Sequence, residues 1–435
     1  MVDLSNKRVL VMGLGRFGGG VGVTRWLVGQ GARVTVTDLA TAEELAESLA
    51  RLDGLDVTLR LGGHDDVDLD TCDLLVVNPA VPLDAPLLQA ARRRGVAMTT
   101  EINLFLRRCP ARVVGITGSV GKSTTAAMAA ALLAAGCRSH LGGNIGRSLL
   151  AELADGAIGP DDVVVLELSS FQLDWTPAAG LSPSVALVTN LVPNHLDRHG
   201  RFAAYAAAKK NIFRFQTAGD TLILPADDAT LAPWADEAPG QVRWFGEDAP
   251  FDLRVPGGHN QRNAQAAWAV GHVFGIERAD ADAALAAFTG LPNRLALVTE
   301  RDGVRYYDDS KATTPDGALV ALNSFEPGRI VAIVGGYDKK VPLDALADTL
   351  ASRCKAVIAT GEVGPLLAAL VEQRRTGDAP EVVVAPLFDD AVRAARAAAG
   401  GGDVVLLSPA CASYDQFPNY IARGERFARL VGQDA

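Results

Sequence analysis

Short apolar runs rich in β-branched residues recur along the chain, each followed by a longer helical stretch. They cover residues 9–12, 34–37, 74–77, 113–117, 163–166, 185–189, 330–334, 356–359 and 404–407. Many are apolar throughout rather than alternating, as expected of strands covered on both faces. Strands and helices alternating at this spacing predict an α/β fold with parallel sheets. The pattern breaks near 107–111, just before a new strand and a glycine-rich loop. It breaks again near 290–294, where Leu-Pro-Asn-Arg follows a helix. Three domains are therefore expected, at 1–105, 106–292 and 293–435, each a sheet with helices on both sides. The alanine-rich run 126–135 is too short for a bilayer, which takes roughly 20 residues, and predicts a buried helix. The alanine- and arginine-rich stretch near 394 predicts a helix stopped by glycines. No repeat at solenoid period is visible.

Composition narrows the class. A chain of 435 residues is too long for one ordinary core. Its 49% hydrophobic and 21% charged residues are those of a soluble globular protein. The net charge of -10, from 41 basic and 51 acidic residues, argues against nonspecific nucleic-acid binding, which needs a basic surface. It leaves small anionic substrates open. The cysteines Cys72, Cys109, Cys137, Cys354 and Cys411 are scattered without a CxxC pair, which fits a reducing cytoplasm rather than a disulfide framework or cysteine zinc site. The first residues run directly into a strand with no signal-peptide pattern. A cytoplasmic protein without membrane insertion is expected.

Residues 113–125 read as strand, glycine-rich loop and alanine-rich helix. Glycines let backbone N–H groups turn inward around phosphate oxygens. Lys122 would reach the β- and γ-phosphates, and the Ser123 hydroxyl would face Mg²⁺. The helix N-terminus adds partial positive charge. The glycine spacing is a variant: Ile116 stands where the strict pattern has glycine, and glycines fall at 115 and 118. A strand–turn–helix with a solvated lysine is the plainer alternative.

Gly13, Gly15 and Gly18 follow the first apolar run, and Asp38 ends the second. This matches a dinucleotide fingerprint with its acidic residue. The same turn can hold any nucleotide diphosphate, or simply pack a helix tightly on a strand. An NAD-dependent oxidoreductase is the rival this motif raises.

Glu167 ends a strand in the phosphate-loop domain, the usual place for a Mg²⁺ partner; a capping glutamate is the alternative. His195 follows another strand and could ligate metal, carry a proton or be structural. His199 reads as surface. Lys209, on the stretch Tyr-Ala-Ala-Ala-Lys-Lys-Asn, reads as an exposed helix lysine. Its ammonium could serve a metal only after conversion to an anion, for example by CO₂.

Taken in order, GITGSVGKST, GGNIG, ELSSFQL, NHLDRHG, AAKKNI, GGHNQRNAQAA, LPNR, DDSKATT and SPACASYDQF resemble the Mur ligases over the whole chain. The resemblance implies a Rossmann-like N-terminal domain, a central ATPase-type domain with a phosphate loop, and a Rossmann-like C-terminal domain. It implies an ATP-dependent amide ligase that adds D-glutamate to UDP-MurNAc-L-Ala through an acyl phosphate in peptidoglycan precursor synthesis, working as a monomer. The N-terminal glycine motif then needs no NAD. ATP would meet Gly118, Ser119, Gly121, Lys122, Ser123, Thr124, Asn263, Arg294 and Asp309. Mg²⁺ would be served by Ser123, Glu167, His195 and a carbamylated Lys209. Lys122, His195 and Lys209 would be catalytic. Gly15, Arg16, Asn78 and Asn144 would meet the nucleotide substrate, and Lys311, Thr313, Lys339, Ser413 and Tyr420 the glutamate.

The chain departs from the family pattern at several positions. Val120 replaces an asparagine in the loop, which a backbone cradle tolerates. Leu39 and Ala40 replace a Thr-Arg pair that can contact the uridine diphosphate, for which Arg16 is a candidate replacement charge. Asn78-Pro-Ala replaces a Ser-Pro-Gly turn, Ala296 a glutamate, Thr314 an asparagine and Tyr420 a phenylalanine. None removes a reacting group.

Overall fold

The computed structural model describes residues 3–16 and 18–432. Its strands form three sheets. The first contains β1 (Arg8–Met12), β2 (Arg33–Asp38), β3 (Val57–Leu61), β4 (Leu74–Val77) and β5 (Met98–Thr99), in the order β3-β2-β1-β4-β5. The second contains β6 (Arg112–Thr117), β7 (Ser139–Gly143), β8 (Val163–Glu167), β9 (Val185–Val188), β10 (Thr221–Pro225) and β11 (Gln241–Phe245), in the order β11-β10-β9-β6-β8-β7. Both are parallel. The third contains β12 (Ala296–Arg301), β13 (Val304–Asp308), β14 (Ile330–Gly335), β15 (Cys354–Thr360), β16 (Glu381–Val384) and β17 (Val404–Leu407), in the order β12-β13-β17-β14-β15-β16. Only the edge pair β12–β13 of these is antiparallel. Each expected apolar run lies in one of these strands, save that Thr189 falls just past the end of β9. The edge strand β3, by contrast, has a largely exposed face.

The described chain divides into two compact units. Residues up to Pro250 together with Arg262–Ala284 form one; Phe251–Gln261 and the residues from Leu285 onward form the other. Within the first unit one apolar core runs through both sheets, joining Val11, Val36 and Trp26 to Ile102, Phe105, Leu149, Val164 and Val188, while Leu10, Met12, Leu75 and Trp175 belong to another. The alanine-rich helix Lys122–Leu133 is buried along most of its length, as its composition predicts. In the second unit the central strands are covered on both faces. Ala332 and Val334 of β14 pack with Leu346, Leu350 and Leu367, whereas Val331 and Ile333 pack with Phe388, Val392 and Phe427. This two-sided burial is why these strands show no polar alternation. The stretch near 394 is the helix Phe388–Ala398, and glycines follow it. Among the described residues no helix is long and apolar enough to cross a membrane.

Two isolated side chains differ from expectation. Lys209 is not an exposed helix lysine: it is 1% exposed, because its helix Phe202–Lys210 packs under the loop after β6. His199 is not a surface residue: its side chain is only 5% exposed, and its ring meets the Ser170 hydroxyl through Nε2 at 3.0 Å.

Phe427, fully buried against β14 and β17, supports the last helix of the second unit. Phe427→Ala is expected to destabilise that unit by about 3–5 kcal/mol. A fall in its urea midpoint would show this; a loss below about 1 kcal/mol would mean that the helix packs loosely.

Candidate active site

The order of the central sheet assembles the site. β6 lies between β8 and β9, so the loops leaving their carboxyl ends meet, as expected for ligand sites in open parallel sheets. The loop after β6 carries Gly118 to Lys122, β8 ends on Glu167, and the segment after β9 leads to His195. Thr117 Oγ1 donates to the carbonyl of Leu168 at 2.7 Å, which ties the first two loops together.

Asn190, a residue not singled out in the sequence, organises the phosphate loop. Its carbonyl accepts from the Ser119 N–H at 3.1 Å. Its side chain accepts from the Val120 N–H at 3.0 Å and donates to the Val120 carbonyl at 2.9 Å. The Val120 side chain itself is 58% exposed, so the exchange of asparagine for valine leaves the loop's backbone bonds intact. The Ser119 hydroxyl meets the Val192 carbonyl at 2.8 Å and the Tyr205 hydroxyl at 2.9 Å. Lys122 Nζ folds back on the Ser119 carbonyl at 3.0 Å.

Two glycines are needed here for space as well as torsion. Gly118 has φ +148, and a Cβ there would lie 1.9 Å from Thr189 Oγ1. Gly121 has φ +84, and a Cβ would lie 2.4 Å from Asn263 Oδ1. Asn263 therefore lies against the loop, where it also accepts from Thr125 Oγ1 at 3.2 Å. Ser123 is buried at the start of the helix and Thr124 partly so.

Lys209 lies beneath the loop. Its Nζ donates to the Gly118 carbonyl at 2.7 Å and to Thr117 Oγ1 at 3.2 Å. Burial, with Lys122 nearby adding repulsion, lowers its pKa to about 6, so the amine is largely neutral at pH 7. Glu167 accepts from Asn144 Nδ2 at 3.0 Å through Oε1. Its Oε2 is buried without a hydrogen-bond partner. His195 has a left-handed backbone, φ 52, and its ring lies 5.0 Å from that of Phe171. Burial and then the charge of Lys122 hold its pKa below the ordinary value.

These groups fit a divalent cation. An unpartnered carboxylate oxygen is costly when buried, and a hard cation would satisfy it. Among the described residues no three His, Cys, Asp or Glu side chains cluster as a metal cage. The assigned residues include two such groups, Glu167 and His195, and Mg²⁺ commonly takes one or two carboxylates plus phosphate and water.

A cavity of about 360 Å³ adjoins this centre. Its lining includes Gly13, Gly15, Arg16, Asn78, Glu101, Asn144 and Gln172. It opens where the order of the first sheet reverses, between β1 and β4, the place where such sheets take nucleotides. Asp38 is engaged with the glycine turn. It accepts from Gly15 N–H at 3.1 Å and from Ala40 N–H at 2.9 Å. Asn78 spans the gap by donating to the Gly13 carbonyl at 3.2 Å. Arg16 pairs with Glu44 at 2.9 Å on the surface. Asn144 belongs both to this cavity and to the Glu167 hydrogen bond, so one side chain links the cavity wall to the carboxylate that ends β8.

The second unit gathers its own set. The loops after β13, β14 and β17, adjacent strands, carry Asp309, Lys311 and Thr313, then Lys339, then Ser413. Lys339 Nζ donates to the Thr313 carbonyl at 2.9 Å, and Lys311 Nζ lies 5.4 Å over the Tyr420 ring. Asp309 accepts from Ser408 Oγ at 2.8 Å and from Leu295 N–H at 3.2 Å. Burial raises its carboxyl to about 7, and Arg294 opposes this. The loops share a support that was missed in the sequence, Arg423. It is 2% exposed and donates to Ser310 Oγ, Ser310 O, Ala412 O and Cys411 O at 2.9–3.3 Å. Nothing in a helix sequence distinguishes such an arginine from a solvated one.

Three family models match the chain in the order of its three sheets. The MurD-like N-terminal domain of Mur ligases matches residues 7–100, the Mur ligase middle domain 116–254 and the Mur ligase glutamate ligase domain 293–411. The chain is 40% identical to a UDP-N-acetylmuramoylalanine--D-glutamate ligase of Roseiflexus sp. (strain RS-1), covering 99% of each. It is also 40% identical to the enzyme of that name from Symbiobacterium thermophilum, covering 98% of each. Among solved structures, UDP-N-acetylmuramate-alanine ligase MurC of Thermotoga maritima is similar with a TM-score of 0.59 at 20% identity, over 98% of this chain and 99% of that one. MurF ligase of Thermotoga maritima in complex with ADP is similar with a TM-score of 0.57 at 17% identity, over 98% and 95%. At those identities the two structures speak for the fold.

Glu101 offers a pH test of the cavity wall. Its carboxyl accepts from Ser148 Oγ at 2.7 Å, and burial pushes its pKa to about 7 from 4.5. The folded protein therefore binds a proton more tightly than the unfolded chain. The resulting stability is complete below pH 4.5 and is lost as pH rises through about 7. Glu101→Gln should match the wild type near pH 4 and be more stable by about 1–2 kcal/mol at pH 8, the size being limited because the residue is only half-buried. Melting temperatures across this range test it; parallel profiles would contradict the assignment.

Proposed function

The chain belongs to the Mur ligase family, and from that premise we propose that it joins D-glutamate to UDP-N-acetylmuramoyl-L-alanine at the expense of ATP. The observation that carries this reading is that Asn144, in the wall of the cavity at the first sheet, donates to Glu167 at the end of β8. An acceptor bound along the first sheet would present its far end to the ATP phosphates. The relatives named for this reaction at 40% identity support the choice of substrates.

A carboxylate and an ammonium form no amide in water without activation. The L-alanyl carboxylate attacks the γ-phosphorus of ATP, the bond to the β–γ bridging oxygen breaks, and ADP leaves an acyl phosphate. The neutral amine of glutamate then attacks the acyl carbon, inorganic phosphate departs and a proton is lost. Such phosphoryl transfer depends on positioning and charge neutralisation. The Ser119 and Val120 N–H groups are engaged with Asn190, so the N–H groups of Gly121, Lys122 and Ser123 at the helix start take the phosphates. Lys122 swings from the Ser119 carbonyl to the transferring group. Bound at Ser123, Glu167 and His195, Mg²⁺ would supply further neutralisation of phosphate charge. The C-terminal unit, with Lys311, Thr313, Lys339, Ser413 and Tyr420, receives the glutamate, and Arg294 and Asp309 serve ATP. Exclusion of water protects the acyl phosphate. A monomer in the cytoplasm suffices for this chemistry.

Lys209 is chemically prepared for carbamylation. Only a neutral amine attacks CO₂, and its depressed pKa supplies one. The new N–C bond yields a carbamate anion and releases one proton. That anion beneath the loop would support the cation site.

The deciding assay is phosphate release with ATP, UDP-MurNAc-L-Ala and each of D-glutamate, L-glutamate and a diamino acid in turn. Turnover is expected with D-glutamate; turnover with another amino acid alone would overturn the substrate assignment. A reduced-nicotinamide signal with NAD would favour the oxidoreductase instead. Lys209→Ala is expected to be inactive and partly restored by added short carboxylates. Full activity of that variant would remove the carbamate.

A further inference from the structure

His195 sits at the N-terminus of a single helical turn, Leu196–His199. A turn this short does not sustain itself, because helix nucleation is unfavourable. His195 also holds a left-handed backbone, φ 52, which a side-chain-bearing residue adopts at some cost. Its carbonyl accepts from the N–H groups of Arg198 at 3.1 Å and His199 at 2.9 Å. The position of His195 therefore depends on whatever anchors the turn.

One anchor is His199 on Ser170. The other leaves the central sheet altogether. The Arg198 guanidinium donates to three successive carbonyls of the turn after β4: Pro79 at 3.2 Å, Ala80 at 2.8 Å and Val81 at 2.6 Å. Its Cζ lies 4.9 Å from the centre of the Phe171 ring, the same ring that meets His195. Pro79, Ala80 and Phe171 all line the nucleotide cavity. Asn78 organises the turn from the inside by accepting from Ala80 N–H at 3.0 Å and donating to the Gly13 carbonyl. A continuous set of contacts thus runs from the glycine turn through residues 78–81 and Arg198 to His195.

We propose that Arg198 is a positioning residue that fastens the nucleotide-cavity turn at 79–81 to the His195 turn, so that filling the cavity sets the histidine. This rests on the reading of the cavity as the site of the UDP substrate. Only backbone carbonyls are recognised, so the latch is indifferent to the side chains at 79–81. That accounts for how Asn78-Pro-Ala can stand for a Ser-Pro-Gly turn. A planar fork of N–H donors is required; an ammonium in its place could not span three carbonyls in this geometry.

Arg198→Met and Arg198→Lys in the full chain test the latch in two ways. In the substrate-free protein, amide exchange at Ala80 and Val81 and at His199 and Gly200 is expected to rise together by about tenfold or more in the Met variant, with the Lys variant between. The helix Lys122–Leu133 should keep its protection. In turnover, the KM for UDP-MurNAc-L-Ala is expected to rise about tenfold with a fall in kcat, while the KM for ATP stays within about twofold. Exchange that rises in only one segment or in neither would overturn the proposal, as would equal rises in both KM values. The wild type separates the two ideas. If UDP-MurNAc-L-Ala fails to protect Ala80 and Val81, the cavity is not its site, whereas the substrate-free comparison still decides the latch.

Discussion

The central site depends on an amine kept out of water. Lys209 Nζ has two oxygens to bond to, the Gly118 carbonyl and Thr117 Oγ1, and almost no solvent. A charged ammonium in that position would suffer desolvation and the repulsion of Lys122 together, and Glu167 offsets only part of this. Losing the proton relieves both. The same hydrogen bonds draw the helix Phe202–Lys210 under the phosphate loop and bring the Tyr205 hydroxyl to Ser119. A single buried side chain thereby supports the loop's shape and leaves a nucleophilic amine beside Glu167.

Around that amine, sheet order supplies the geometry. Because β6 lies between β8 and β9, a glycine-rich loop, a carboxylate and a histidine that are up to 77 residues apart in the chain, Gly118 to His195, share one rim. The rim continues into the first sheet through Asn144 and through the contact of Arg198 with residues 79–81. The cavity at the first sheet and the centre around the glycine-rich loop are therefore parts of one packed unit. In the second unit the loops after β13, β14 and β17 converge in the same manner. There a buried guanidinium, Arg423, supplies the donors that the loop carbonyls need.

Continuous apolar strands and glycine punctuation were enough to place the three sheets, since burial on both faces and tight strand–helix turns leave those marks in any sequence. The Gly-Lys-Ser loop, the carboxylate ending β8 and the glycine turn after β1 were legible for the same reason: each is a local solution, built by neighbouring residues. The assignment of the whole chain to Mur ligases followed from the order of its motifs.

What only the tertiary structure decided lies in contacts between distant segments. Lys209 and His199 look like ordinary helix-end residues, and their burial comes from packing across tens of residues. Asn190, Arg198 and Arg423 carry no local mark at all, because most of their partners are backbone carbonyls and N–H groups, which every residue possesses. A sequence determines which backbone groups exist and which elements they enter. Which long side chain reaches them is set by how the sheets and helices come together, and here that decides where His195 and the glycine-rich loop after β6 are held.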